Sequence, residues 1–223
     1  AGADEPEVPA AVRAVYERRA GFANHHFNVV ERDRVAAGLA AVRDSLAEGP
    51  WVLTGRIAAG GEFRIELSDA SASIDLPTGT STLAVDDEFD RQPLPPGSGG
   101  LLPALVLWRR LVMEGPAALG RTIYWGTAPR HPATFAAGAA ADLVEVLESA
   151  VAGVVARFGV DASGRVVWID LWTSPDDDPC ELTLAWPAAA AAGGMPESID
   201  ARFGGASFAT LLLDAAAAVE PPR

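Results

Sequence analysis

The chain has 223 residues, 49% of them apolar, enough to bury one full core within the ~200–250 residues that a β-rich fold can occupy as a single domain. Thirty acidic residues against seventeen basic ones give a formal charge of −13, and with no lysine present every basic residue is an arginine. Phosphate backbones need a clustered basic surface, and Arg18/Arg19, Arg32/Arg34 and Arg109/Arg110 are short pairs that read as solvated helix faces, so nucleic acid is not an expected partner.

Residues 1–20 are expected to form an N-terminal tether with a short helix over 8–20, Pro9 in its first turn and Val12, Val15 and Tyr16 on one side. One domain is expected over 21–214, followed by a C-terminal tail at 215–223. A second helix is predicted with Asn28 as N-cap, Glu31 completing a capping-box-like start, and a stripe of Val35, Leu39, Val42 and Leu46 ending at Gly49-Pro50. After Pro50 the period changes to two, as Phe63, Ile65 and Leu67 alternate with Arg64, Glu66 and Ser68, which predicts strands over 51–58, 62–68, 71–76 and 80–85. Residues 86–100, acidic and then rich in Pro and Gly, predict a long loop. A third helix over 101–113 carries the stripe Leu101, Leu105, Trp108 and Val112 and stops at Gly115-Pro116. Strand patterning then returns over 121–126, 141–147, 151–160, 165–173, 180–186, 197–203 and 206–213, with Asp161-Ala-Ser-Gly164 as a hairpin turn. Without βαβ alternation the expected class is α+β: a curled, largely antiparallel sheet of the unclosed half-barrel type, packed against two or three helices.

Chemistry is sparse in this pattern. His25, His26 and His131 are the only imidazoles, none in a catalytic motif. His25 and His26 are adjacent, so their side chains diverge on a helix or a strand and are poorly placed to share a metal; with Phe27 they read as interface residues. Ser98, in Gly97-Ser-Gly-Gly100, lacks the strand that precedes a nucleophile elbow. The run Asp176-Asp-Asp178 lacks the glycine and distant glutamate of a calcium loop and reads as a solvated turn. The single cysteine, Cys180, excludes an internal disulfide framework and has no basic neighbour in sequence to activate it. A Walker-type loop is impossible without lysine. No cofactor or metal is expected. The tryptophans carry more information: Trp51, Trp125, Trp168, Trp172 and Trp186 fall on or beside predicted strands, either in the core or lining a pocket with indole N–H groups at its mouth. No run approaches the ~18 apolar residues of a membrane span. The opening Ala-Gly-Ala-Asp-Glu-Pro fits a mature end left by signal-peptide removal, so the expected location is periplasmic or otherwise exported.

Three stretches, Gly21-Phe-Ala-Asn-His-His-Phe-Asn-Val-Val-Glu-Arg-Asp-Arg34, Gly97-Ser-Gly-Gly-Leu-Leu-Pro-Ala-Leu-Val-Leu-Trp-Arg-Arg110 and Tyr124-Trp-Gly-Thr-Ala-Pro129, resemble an exported bacterial accessory region. It is the non-catalytic part that follows the trypsin-like serine protease domain in some multidomain bacterial proteins. There the opening is closer to Tyr-Ala-Asn-Tyr-Tyr-Phe-Asn, so His25 and His26 stand in place of aromatic residues. The strand-rich end, with Gly164-Arg-Val-Val-Trp-Ile-Asp-Leu171, Asp178-Pro-Cys-Glu-Leu182 and Met195-Pro-Glu-Ser-Ile199, is similar to the unclosed half-barrel of periplasmic lipoprotein carriers. The resemblance implies an exported domain that binds or assembles, and carries over no protease triad. The expected function is a non-catalytic binding or assembly domain of the bacterial cell envelope making protein–protein contacts. The alternatives are a periplasmic carrier of lipid or lipidated peptide, and a hydrolase with a dispersed active site, for example His131 with Asp142.

Overall fold

The computed structural model describes residues 25–44, 46, 49–85, 89, 93–130, 142–174, 176–187 and 194–218, with backbone alone at 25–27 and 215–218. The short helix expected over 8–20, and His131, lie outside the described residues. The class is α+β: one unclosed antiparallel sheet of eleven strands with two helices packed against it.

In chain order the elements are α1 (His25–Arg43), β1 (Trp51–Ile57), β2 (Glu62–Leu67), β3 (Ser71–Leu76), β4 (Gly79–Ala84), α2 (Leu101–Glu114), a 3-10 turn (Pro116–Leu119), β5 (Arg121–Pro129), β6 (Leu143–Val151), β7 (Val154–Val160), β8 (Val166–Trp172), β9 (Cys180–Ala185), β10 (Ser198–Phe203) and β11 (Ala206–Ala218). The sheet order is β4-β3-β2-β1-β11-β10-β9-β8-β7-β6-β5, so one meander runs outward from β1 to β4 and a second runs inward from β5 to β11. β11 joins them, pairing with β1 on one side and β10 on the other. It continues to Ala218, into the stretch expected as a tail, because Trp51–Thr54 of β1 offers it partners.

The chain leaves the sheet at one edge, β4, and re-enters at the other, β5, so the segment between must cross a face. α2 makes that crossing. It touches β2 and β3 in one half and β7, β8 and β9 in the other, and the sheet curls around it. Eleven of its fourteen residues are buried, so in place of the expected single stripe it is apolar nearly all round, the pattern of a helix inside a core. Trp108 meets Trp51 of β1 edge-on, with ring centroids 5.1 Å apart. Around them lie Leu53, Ile65, Leu67, Ile74, Phe158, Ile169 and Leu182, the inward members of alternating strands.

Four expectations are corrected here. α1 begins at His25, so Asn28 lies within its first turn and is not an N-cap; its amide instead accepts a hydrogen bond from the Tyr124 N–H (3.1 Å) and donates one to the Tyr124 carbonyl (2.7 Å). Glu31 pairs with Arg34 rather than closing a capping box. The helix ends at Arg43 instead of reaching Gly49, leaving Leu46 to pack against the core from outside it. Arg109 is not on a solvated face: 6% exposed, it donates to Asp69 (2.6 Å) and to the Gly49 carbonyl (3.0 Å) and ties α2 to two loops. Ser98 is also buried, its Oγ donating to the Pro95 carbonyl and accepting from the N–H groups of Gly100 and Leu101, which holds the turn into α2. α1 approaches the β7–β8 hairpin so closely that a Cβ on Gly164, at φ +77°, would sit 2.1 Å from the Gly38 carbonyl oxygen.

Candidate binding face

α1 and α2 cover one side of the sheet, and alternate side chains of β5 to β10 leave the other. Register brings the outward positions into rows across the strands. Ile123 of β5 faces Glu148 of β6, Glu148 faces Arg157 of β7, Arg157 faces Asp170 of β8, Asp170 faces Glu181 of β9, and Glu181 faces Arg202 of β10. This row is made of residues scattered over eighty positions of sequence, and strand pairing alone assembles it.

Arg157 is its organising side chain. Its Nε donates to Glu148 at 2.7 Å, and its guanidinium lies 4.8 Å from the ring centroid of Trp125 and 5.0 Å from that of Trp172. A planar cation between two indoles is stabilised electrostatically by the ring faces and is oriented by them, each contact contributing roughly 0.5–1 kcal/mol where exposed. Trp125 reaches this position because the β5–β6 register shifts between Tyr124 and Gly126. It is 49% exposed, and Val155, beside Trp172 on the same face, is 37% exposed.

Next to the stack lies a small second core on the same face. Val144, Val146 and Val167 are covered by Trp168 and flanked by Ala128 and Trp186. Trp168 lies flat on β7, where a Cβ on its partner Gly159 would sit 2.2 Å from the indole ring. The Trp186 indole N–H donates to the Val166 carbonyl at 2.8 Å, and Arg165 stacks over its ring at 5.3 Å. Among the described residues, tryptophan side chains cover this part of the sheet.

The row is electrostatically unbalanced. Asp170 and Glu181 stand directly opposite each other, an unfavourable pairing for like charges. Arg157 is committed to Glu148 and the indoles, and Arg202 comes only to 4.0 Å of Glu181. No hydrogen bond from a described residue reaches the Asp170 carboxylate. Burial pushes its pKa up to about 6, with Glu181 adding to the rise and Arg157 offsetting part of it.

The five tryptophans singled out in the sequence therefore divide between the two sides of the sheet. Trp51 is buried with Trp108 of α2, Trp125, Trp168 and Trp172 belong to the face that α1 and α2 leave uncovered, and Trp186 packs against both cores. The backbone of His25, His26 and Phe27 opens α1, and their side chains lie outside the described residues. Asp142 pairs with Arg130 at 2.5 Å. Cys180 is fully buried on the helix side, and burial, with Asp170 and Glu181 adding, pushes its thiol up to about 12. Arg157, Glu148, Asp170 and Glu181 were missed by sequence reasoning; the available signal was the charged outward member of each alternating strand, which acquires meaning only once register is known. Among the described residues no three His, Cys, Asp or Glu side chains gather as a metal site, and no helix is long and apolar enough to cross a membrane. No family model, curated protein or solved structure matches the chain.

Proposed function

We propose that the chain is a non-catalytic binding or assembly domain of the bacterial cell envelope, exported, and that it contacts a protein partner through the face of β5–β10 that α1 and α2 leave uncovered. The observation that carries this is the Trp125–Arg157–Trp172 stack: two indoles and a guanidinium held in fixed orientation, with Trp125 half exposed on a face that neither helix covers. Tryptophan and arginine are the residue types that dominate binding energy at protein interfaces, and a rigid pair loses little side-chain entropy on docking. The resemblance of residues 21–34, 97–110 and 124–129 to an accessory region of exported multidomain proteins supports the same assignment. The inside of the curl, where a half-barrel carrier would hold lipid, is filled along its middle by α2, which favours the protein-binding reading over the carrier.

The test is native mass spectrometry of the protein purified from its own source, for the wild type and for Trp125→Ala. Stoichiometric partner subunits that are lost in the variant are expected. A retained lipid with no protein partner would move the assignment to the carrier. Substrate turnover abolished by one side-chain change would replace it with the hydrolase.

A further inference from the structure

We infer that a second site, on the side of the sheet that α2 covers and independent of the docking face, binds a small amphiphilic carboxylate with its anionic head on Arg110. A cavity of about 510 Å³, within the ~300–1,000 Å³ of small-molecule sites, opens between the second half of α2, the β2–β3 turn and the 3-10 turn. Its charged and hydroxyl groups are Ser68, Asp69, Arg109, Arg110 and Glu114, and Val85, Val106, Met113 and Ala118 supply apolar wall. The two arginines stand in different states. Arg109 is 6% exposed and commits its two terminal nitrogens to Asp69 and the Gly49 carbonyl, while its buried Nε–H has no acceptor among the described residues. Arg110 is half-buried and makes no ion pair or hydrogen bond with a described residue; its guanidinium carbon lies 5.9 Å from the centroid of the buried Phe89 ring, which orients the group.

In a chain with thirty acidic residues against seventeen basic ones, a half-buried arginine without a carboxylate is the unusual feature. Asp69 is already taken by Arg109. Glu114 lies four residues after Arg110, the weaker order for an ion pair on a helix, and is exposed and unpaired with it. The cavity therefore offers one uncommitted guanidinium beside apolar wall. Its planar fork matches a carboxylate bidentately. Local charge selects a monoanion: Arg109 and Asp69 cancel, one further negative charge balances Arg110, and a dianion such as phosphate would face Asp69 and Glu114 with charge left over. Val85, Val106, Met113 and Ala118 fit the hydrocarbon body that such a carboxylate carries.

The experiment titrates the full chain with sodium octanoate, with 1-octanol and with inorganic phosphate, following backbone amide shifts and the heat of binding. Octanoate is expected to shift the amides of Ser68, Asp69, Arg110 and Met113 and to bind at least tenfold more tightly than 1-octanol or phosphate. Arg110→Gln should weaken octanoate at least tenfold, Ala118→Phe should abolish its binding by filling the cavity from the 3-10 turn, and Trp125→Ala, on the opposite face, should leave it unchanged. Phosphate or 1-octanol binding as tightly as octanoate, shifts confined to another part of the molecule, or an unaffected Arg110→Gln protein would overturn the inference. Should Arg110→Gln lose its native amide dispersion, Arg110→Lys decides: a point charge without the fork is expected to weaken octanoate several-fold, and undiminished binding would overturn the inference. Failure at this cavity leaves the docking domain standing, because Trp125 takes no part in it.

Discussion

The Asp170 carboxyl, pushed up to about 6 between Arg157 and Glu181, makes folding stability depend on pH in a direction opposite to that of an ion-paired carboxylate. Its pKa in the folded chain lies above the ~3.9 of an unfolded aspartate, so its contribution is fully present below pH 4 and is lost as pH rises through 6. The loss attributable to this one group is on the order of 2 kcal/mol, and Asp170→Asn is expected to remove it. Urea denaturation of both proteins from pH 4 to 8 checks this: the variant should be the more stable at pH 7.5, and its advantage should vanish near pH 4. Gly159 gives a second residue-scale expectation. An added Cβ meets the Trp168 ring, so Gly159→Ala should destabilise by about 1–3 kcal/mol, but much less in a Trp168→Ala background where the ring is gone. A double-mutant cycle by chemical denaturation reads the coupling directly. At this scale the sequence showed which residues matter more readily than where they face. Trp51 and Trp168 both sit on predicted strands, yet one packs under α2 and the other lies on the opposite side, because a strand's two faces are equivalent until register fixes the core.

Among the elements, the strands were the most legible. Glu62–Leu67 alternates outward charge with inward Phe63, Ile65 and Leu67, and a period of two needs no distant partner to be recognised. The start of α1 was not legible, because Asn28 is a good local cap and its actual partner is Tyr124, ninety-six residues away. The contact has a purpose that only the sheet reveals. β5 is an edge strand, paired with β6 on one side, and the Asn28 amide presents to its open side the donor and acceptor that a neighbouring strand's peptide group would offer. Asn28→Ala should therefore cost about 1–2 kcal/mol by leaving a partly buried peptide unpaired, and Asn28→Asp should recover little, since a carboxylate accepts but does not donate. Thermal unfolding with light scattering checks both parts, with earlier aggregation expected in the alanine variant.

At the scale of the whole molecule, composition and alternation pointed to α+β and a curled antiparallel sheet, but nothing local indicated the strand order. That β11 returns to lie between β1 and β10 depends on pairings such as Trp51 with Ala218, the first residue of the first strand with the last of the last. The near-complete burial of α2 was hidden for the same reason: a helix crossing from one sheet edge to the other is enclosed by strands from both halves, and its sequence shows only that it is apolar. The site was the least legible level, since the Glu148-to-Arg202 row exists only as a product of four pairings. The central place of β11 also has a consequence for the order of events as the chain is synthesised. Growth from the N-terminus produces β1–β4 and then β5–β10 as two unfinished sheets, and the strand that unites them is the last of the described elements to emerge. A chain ending at Phe203 is expected to be cut rapidly by thermolysin where the full chain resists. Until Ala206–Ala218 has been made, β1 and β10 wait with bare edges, and the nascent protein is two halves without a seam.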